Sequence, residues 1–201
     1  MTSFHHPSPV REAFIQKELT AGAALKERIS VECTGAIIGA LDLILRSLGG
    51  GGKILLCGNG GSAADAQHIA AEFVVRLNPA VRRPGIPAIA LTTDSSMLTA
   101  AANDLGYENV FARAVEALGR PGDALIAIST SGRSPSIHRA LEAARARSVG
   151  TIGLLGRDGG SCAGLADIAI VVPSDDTQRI QEAHITIGHI LCALVERELY
   201  G

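Results

Sequence analysis

Three ionisable side chains follow a glycine-rich turn at a regular spacing of four residues: His68, Glu72 and Arg76. In an α-helix this spacing places all three on one ridge, because residues i and i+4 are neighbours on the helix surface. An imidazole, a carboxylate and a cation on one ridge suit proton transfer on an anionic substrate. A solvated helix face with ordinary ion pairs explains the pattern equally well, so this helix alone leaves both interpretations open.

The turn before this helix has the composition of an anion-binding junction. A short apolar strand, residues 53–57, runs directly into the segment GNGGS at residues 58–62. Glycine tolerates positive φ at little steric cost, and Ser62 is predicted to cap the helix that follows. Since the first N–H groups of a helix lack intrahelical acceptors, this junction is expected to favour an anion.

A second strand-to-helix junction carries more hydroxyl groups than turn formation requires. An apolar strand leads into Ser129, Thr130, Ser131 and Ser134, and Pro135 falls in the first helical turn. Capping and turn formation need one or two hydroxyls, whereas four hydroxyls with several N–H groups could hold a phosphate monoester. The surplus favours phosphate binding at this loop.

Apolar strands alternate with helical segments along most of the chain. Parallel strands need crossover connections, so this alternation predicts a parallel sheet covered on both faces. Five strands indicate an α/β protein with a flavodoxin-like αβα sandwich, in which ligands bind beyond the carboxyl ends of the strands, where both polar loops lie. The predicted strands are residues 53–57, 86–91, 124–128, 150–155 and 168–172. Long helices are predicted at both ends of the chain: one or two over 10–48, and one over 177–199. Shorter helices are predicted over 97–102, 108–118 and 135–147.

The composition predicts one domain, residues 10–201, after a flexible leader, residues 1–9. A net charge of −2 and a pI near 6.3 give no electrostatic reason to expect nucleic acid or an anionic membrane as a partner. No apolar run is long enough to cross a bilayer and no signal peptide is apparent, so a cytoplasmic location is expected. The cysteines form no CxxC pair and are expected to be buried, reduced thiols: Cys33, Cys57, Cys162 and Cys192.

The last predicted helix is apolar around more than one face, which suggests an oligomer interface. Its polar residues include Gln181, Glu182, His184 and His189. Each of them could be an ordinary buried or capping residue, and for a lone histidine that interpretation is favoured.

Three segments of the chain resemble the sugar isomerase (SIS) domain family: GNGGS at 58–62, STSGRS at 129–134 and RIQEAHITIGHILCALVE at 179–196. The segments DAQHIAAE, AANDLGYENVF and RIQEAHITIGHI, in this order, indicate the branch of that family that acts on heptose phosphates. The resemblance implies conversion of sedoheptulose 7-phosphate to D-glycero-D-manno-heptose 7-phosphate, the first step of bacterial ADP/GDP-heptose synthesis for surface polysaccharide. This aldose–ketose isomerisation proceeds through an enediol and needs a base, an acid and stabilised oxyanion charge.

The resemblance also implies a role for each group of matching residues. The carboxylate base matches Glu72 and the histidine acid/base matches His189. The phosphate loop matches Ser129, Thr130, Ser131 and Ser134. Residues expected to contact the rest of the substrate are Asn59, Gly60, Gly61, Ser62, Glu72, Arg76, Asn103, Asp104 and Gln181. One zinc ion per subunit is implied, with His68, Glu72, Gln181 and His189 as its ligands. The family is usually tetrameric.

Two features of this sequence bear on those implications. Gln181 and His189 are eight positions apart, so their Cα atoms are about 12 Å apart along the helix axis. Both can bind one zinc ion only if their side chains converge across two helical turns, or if the two residues come from neighbouring subunits. Arg133 stands where many relatives have asparagine, and it either adds a cation near the phosphate or points to solvent.

Two other functions compete with heptose phosphate isomerisation. One is a non-catalytic SIS-domain protein that binds a replication initiator; such relatives lack the carboxylate and the late histidine found here as Glu72 and His189. The other is an isomerase for a different sugar phosphate, such as arabinose 5-phosphate, which the terminal RIQEAHITIGHI segment disfavours.

Overall fold

The computed structural model describes residues 9–201, which form a five-stranded parallel sheet with helices on both faces. The strand order is β2-β1-β3-β4-β5, the flavodoxin-like order, so the predicted fold is confirmed. The strands are β1 (Ile54–Gly58), β2 (Ala88–Ala90), β3 (Ala124–Ser129), β4 (Gly150–Gly156) and β5 (Ile168–Val172). All residues of β1 and β3 are buried, which explains why these strands read as unbroken apolar runs.

Eight α-helices and one 3-10 turn connect and cover these strands in residues 9–201. The helices are α1 (Pro9–Glu32), α2 (Thr34–Gly49), α3 (Gly61–Val74), α4 (Ser95–Leu105), α5 (Val110–Leu118), α6 (Pro135–Ala146), α7 (Gly160–Ala163) and α8 (Thr177–Tyr200). The 3-10 turn is Tyr107–Asn109. None of these helices is both long and apolar enough to cross a membrane.

Alternate residues of the central strands face two separate apolar cores. Ile54 and Leu56 of β1 pack with α2, α3 and α8, whereas Leu55 and Cys57 pack with α5 and α6 on the opposite face. This alternation follows from strand geometry, because successive side chains point to opposite faces. All four cysteines are free and buried, as the sequence predicts.

The ends of several helices and strands differ from the predicted ones. Helix α4 continues through Leu105, so Asn103 and Asp104 are helical and do not form the predicted break. The helix stops only at Gly106, whose φ of 85° suits glycine. Strand β2 is shorter than predicted, and the short helix α7 was not predicted. The predicted leader lies outside the described residues except for Pro9, which begins α1.

Candidate active site

Both polar loops lie at the carboxyl edge of the sheet, as the parallel topology requires. The loop 58–62 follows β1 and the loop 129–134 follows β3, and these two strands are paired, with Gly58 opposite Ile128. Glycine is required at position 58, because a Cβ there would overlap the backbone of Ser62. The edge between these strands is therefore the place where one ligand can meet both loops.

The start of α3 differs from the prediction in its capping. The N-cap is Gly60 (φ 56°), no side chain caps the helix, and Ser62 is its second residue, so the predicted Ser62 cap is wrong. The N–H groups of Ser62, Ala63 and Ala64 already donate to the carbonyls of Asn59 and Gly60. Few N–H groups are left there for an anion.

The loop after β3 keeps more of its donors free. Within residues 9–201, the backbone N–H groups of Thr130, Ser131 and Ser134 donate to no acceptor. Ser129 Oγ accepts a hydrogen bond from Gly132 N at 3.1 Å, which closes the loop upon itself. Free N–H groups and hydroxyls in one tight loop form a suitable pocket for a phosphate.

The side chain of Asn59 joins the two loops. Its Nδ2 donates to Ser134 Oγ and to Ser136 Oγ, both at 2.9 Å, and its Oδ1 accepts from the hydroxyl of Tyr107 at 2.8 Å. Both Nδ2 protons are used on serine oxygens, and Ser134 Oγ and Ser136 Oγ lie 3.2 Å apart, so one hydroxyl donates to the other. The remaining hydroxyl proton stays available to an acceptor such as phosphate. Sequence reasoning missed Tyr107 and Ser136, although Tyr107 lies in the AANDLGYENVF segment and Ser136 follows the serine–proline helix start.

Arg133 pairs with Asp158 in the turn after β4, and both side chains are largely exposed. The same region presses closely on the loop: a Cβ on Gly132 (φ 62°) would overlap the backbone of Gly159. Arg133 therefore lies on the outer side of the loop, where the carboxylate of Asp158 offsets its charge.

Helices α3 and α8 lie side by side and run in the same direction. Gln181 of α8 lies beside Gly61 of α3, and Gly188 lies beside Ile69, so residue numbers increase in the same direction along both helices. The approach is close because position 188 has no side chain: a Cβ there would lie 2.5 Å from Ile69 Cδ1. This packing brings the next residue of α8, His189, onto the ridge of α3.

His68, Glu72 and His189 form a compact cluster at this contact. Their ligand atoms all lie within 4.8 Å of one another. The Nε2 atoms of His68 and His189 are 2.8 Å apart, and His68 Nε2 lies 3.4 Å from Glu72 Oε1. The side chain of Glu72 is 21% exposed, so the cluster is accessible yet partly shielded. A carboxylate and two imidazoles at this spacing can exchange protons with one substrate.

The electrostatic surroundings of the cluster include two buried groups. Asp65, one turn before His68 on α3, is buried, and its Oδ2 has no hydrogen-bond partner among the described residues. Burial raises the pKa of Asp65, with His68 opposing that shift. Burial also raises the pKa of Cys192 to about 12, and the Glu72 carboxylate adds to this effect. Cys192 therefore stays a neutral thiol beside the carboxylate.

Four of the predicted site residues do not join this cluster within the chain. Gln181 lies about two helical turns before His189, with its amide against Gly61. Arg76 was predicted on the ridge of α3, but the helix ends at Val74, and Arg76 is exposed beyond it. Asn103 and Asp104 are exposed on α4, where Asn103 Nδ2 donates to Asp104 Oδ1 at 2.7 Å. Their roles in substrate or metal binding stay predictions.

The cluster fits zinc in donor type, and two of its three ligand separations are near those of a tetrahedral site. Tetrahedral zinc with bonds of about 2.0–2.1 Å holds its ligand atoms about 3.3 Å apart. The separation of 3.4 Å between His68 and Glu72 matches, and the separation of 2.8 Å between the histidines would widen by about half an ångström. Two imidazoles and one carboxylate leave the fourth position open, as in catalytic zinc sites.

A flavodoxin-like sheet with a hydroxyl-rich loop at its carboxyl edge, together with a carboxylate–histidine cluster between α3 and α8, defines a sugar-phosphate isomerase type of domain. The SIS domain family model matches residues 19–156. Phosphoheptose isomerase from Trichlorobacter lovleyi is 50% identical over 94% of this chain and 96% of that protein. Phosphoheptose isomerase from Geobacter sulfurreducens is 53% identical over 92% of this chain and 97% of that protein. The chain therefore belongs to the SIS domain family, in the branch of the phosphoheptose isomerases.

A solved structure agrees with this placement. The structure of phosphoheptose isomerase GmhA from Neisseria gonorrhoeae superposes with a TM-score of 0.87 at 41% identity, covering 92% of this chain and 98% of that one. The chain matches nearly the whole length of these proteins, so the likeness extends over the whole described fold.

Proposed function

We propose that this chain is an aldose–ketose isomerase that converts sedoheptulose 7-phosphate to D-glycero-D-manno-heptose 7-phosphate through an enediol. The observation that carries this proposal is the meeting of Glu72 and His189 on parallel helices, within one cluster of ligand atoms spanning 4.8 Å. Relatives at about half identity named phosphoheptose isomerase support the substrate. Nothing in these comparisons supports the alternative of a protein that binds a replication initiator.

The reaction needs a proton to move from C1 to C2 while another moves between the two oxygens. Glu72 takes the proton from C1 of the ketose and returns it to C2 of the enediol. His189 donates a proton to the oxygen on C2 and accepts one from the oxygen on C1, so that the carbonyl moves to C1. The loop at Thr130, Ser131 and Ser134 binds the phosphate and thereby limits the motion of the reacting carbons.

Zinc fits this site, and we propose His68, Glu72 and His189 as its ligands. When bound, zinc would polarise the carbonyl and enediolate oxygens of the substrate. Glu72 has two carboxylate oxygens, so one can bind a metal while the other accepts a proton. Gln181 is compatible with the same ion only if its side chain moves or comes from another subunit, since it lies two turns away in this chain.

We also propose that the protein is a homotetramer of single SIS domains, residues 10–201, which acts in the cytoplasm at the first step of heptose nucleotide synthesis. Apolar side chains on the first half of α1 support association, because Phe14, Ile15 and Leu19 are each more than half exposed. Obligate association of this surface would remove it from water.

NMR of sedoheptulose 7-phosphate in deuterated water with the purified protein tests the function. The aldose heptose phosphate should appear with deuterium at C2, since a proton held by Glu72 exchanges with solvent. Glu72→Gln and His189→Gln should each lower kcat by at least about 100-fold, whereas His138→Gln, at a partly exposed position of α6, should leave it unchanged. Product formation at the normal rate by either site variant would remove that residue from the mechanism. A folded wild-type oligomer that never turns over the substrate, with or without zinc, would refute the proposed function.

A further inference from the structure

An arginine–carboxylate pair is fully enclosed behind the active-site cluster. The side chains of Arg83 and Glu196 are 1% and 3% exposed, and Arg83 Nε lies 2.9 Å from Glu196 Oε1. Arg83 comes from the loop between α3 and β2, and Glu196 from α8. Burial alone would raise the pKa of Glu196, but hydrogen bonds from Arg83 and from two backbone N–H groups outweigh it and lower that pKa. The pair is therefore ionised in the folded protein.

The guanidinium of Arg83 caps the carboxyl end of α3. Its NH2 group donates to the carbonyl of Glu72 at 2.7 Å, and its NH1 group donates to the carbonyl of Phe73 at 2.8 Å. Both carbonyls lie in the last turn of α3, which ends at Val74. The last carbonyls of a helix have no intrahelical partner, so a planar donor with several N–H groups is well suited to this place.

Glu196 holds the chain that leaves α3. Its two carboxylate oxygens accept hydrogen bonds from Leu77 N at 3.0 Å and Asn78 N at 3.2 Å. Glu196 also lies seven residues after His189 on α8, which is about two helical turns and returns to the same face. The buried pair thus links the backbone of Glu72 to the helix that carries His189.

We propose that Arg83 and Glu196 are positioning residues, which set the distance and angle between the Glu72 carboxylate and His189 for proton transfer. This inference rests on the proposed function, since it concerns the same two reacting groups. The side chains of Arg83 and Glu196 are enclosed, so neither is open to a substrate. They act through the backbone of Glu72 and through the end of α8.

A purely structural pair and a positioning pair predict different kinetics. Loss of a structural pair lowers stability, but the protein that remains folded turns over normally. Loss of a positioning pair displaces Glu72 in folded protein, and a displacement of about 1 Å can lower the rate by about 100-fold. The phosphate loop follows β3 and makes no hydrogen bond to this pair within residues 9–201, so substrate binding should change little.

The test compares two conservative variants with two controls from the same segments. Arg83→Lys keeps the charge but cannot reach two carbonyls and a carboxylate together, and Glu196→Gln keeps the shape but loses the charge. The controls are Arg82→Lys and Glu198→Gln, since both of these positions are exposed. Each variant is measured for kcat and KM with sedoheptulose 7-phosphate, and for hydrogen–deuterium exchange of residues 68–78.

We expect kcat of Arg83→Lys and Glu196→Gln to fall about 10- to 100-fold with KM within about threefold of wild type. Exchange should accelerate in the last turn of α3 in both variants, and the controls should match wild type in every measurement. Folded variants with normal kcat, a change confined to KM, or equal losses in the controls would overturn the proposal. If the wild-type protein itself lacked turnover, the proposed function would fail, and unchanged exchange in both variants would then separately refute the link to α3.

Discussion

Lowering the pH from about 6.5 to 4 should destabilise this fold through one buried imidazole, His184 of α8. The side chain is 0% exposed, its Nε2 lies 3.0 Å from the carbonyl of Leu155, and its Nδ1 has no partner among the described residues. Burial lowers the pKa of His184 from 6.5 to about 4, although the hydrogen bond to Leu155 partly opposes that shift. The neutral ring donates to the carbonyl, whereas protonation would add a charged, unpaired N–H in the core.

The sign and size of this effect follow from the difference in proton affinity between the two states. The unfolded chain takes up the proton near pH 6.5 and the folded chain only near pH 4, so stability is lost as pH falls between these values. A pKa difference of about 2.5 units at 1.36 kcal/mol per unit corresponds to about 3 kcal/mol.

Urea denaturation at a fixed protein concentration, repeated at half-unit steps from pH 7 to 4, measures the loss for wild type, His184→Gln and His138→Gln. Other groups also titrate in this range, so the relevant quantity is the difference in slope between wild type and variant. His184→Gln should lack about 3 kcal/mol of the wild-type pH dependence, and His138→Gln, which is partly exposed on α6, should retain it. Identical pH profiles for wild type and His184→Gln would show that His184 is not the buried neutral base described here.

Two substitutions test how the loops hold the substrate. Ser131→Ala should raise KM about 10- to 100-fold through a lost hydrogen bond to charged phosphate, and unchanged KM and kcat would remove Ser131 from the phosphate pocket. Tyr107→Phe should raise KM about 2- to 10-fold, because the bond that orients Asn59 toward Ser134 is a neutral one. A KM identical to that of wild type would mean that Asn59 keeps its orientation without the hydroxyl of Tyr107.

The features that sequence analysis located correctly depend on local order along the chain. The loops 58–62 and 129–134 each follow an apolar strand, and parallel topology then requires both to lie at one edge of the sheet. Ala66, Ile69 and Phe73 of α3 are buried together, because their spacing of three and four residues places them on one face of the helix. Periodicity and strand order carry this information because they involve residues that are close in sequence.

The features that were missed or misplaced depend on partners distant in sequence. Nothing local indicates that Arg83 would meet Glu196, 113 residues later, while its neighbour Arg82 remains exposed. Arg76 leaves the ridge because α3 stops two residues earlier, where the following chain is held by Glu196. Tertiary hydrogen bonds hold the chain at this helix end, and tertiary context of this kind overrides local helix propensity.

The absence of a side chain at Gly188 determines how near the reacting groups can come. Ile69 occupies the space that a methyl group would take, so α8 settles against α3 at a distance that lets His189 meet His68 and Glu72. Gly188 has no side-chain functional group, yet it determines the distance between His189 and Glu72. A search limited to acids, bases and metal ligands would overlook Gly188. Transfer of this active site to another scaffold would therefore require the glycine as well as the reacting residues.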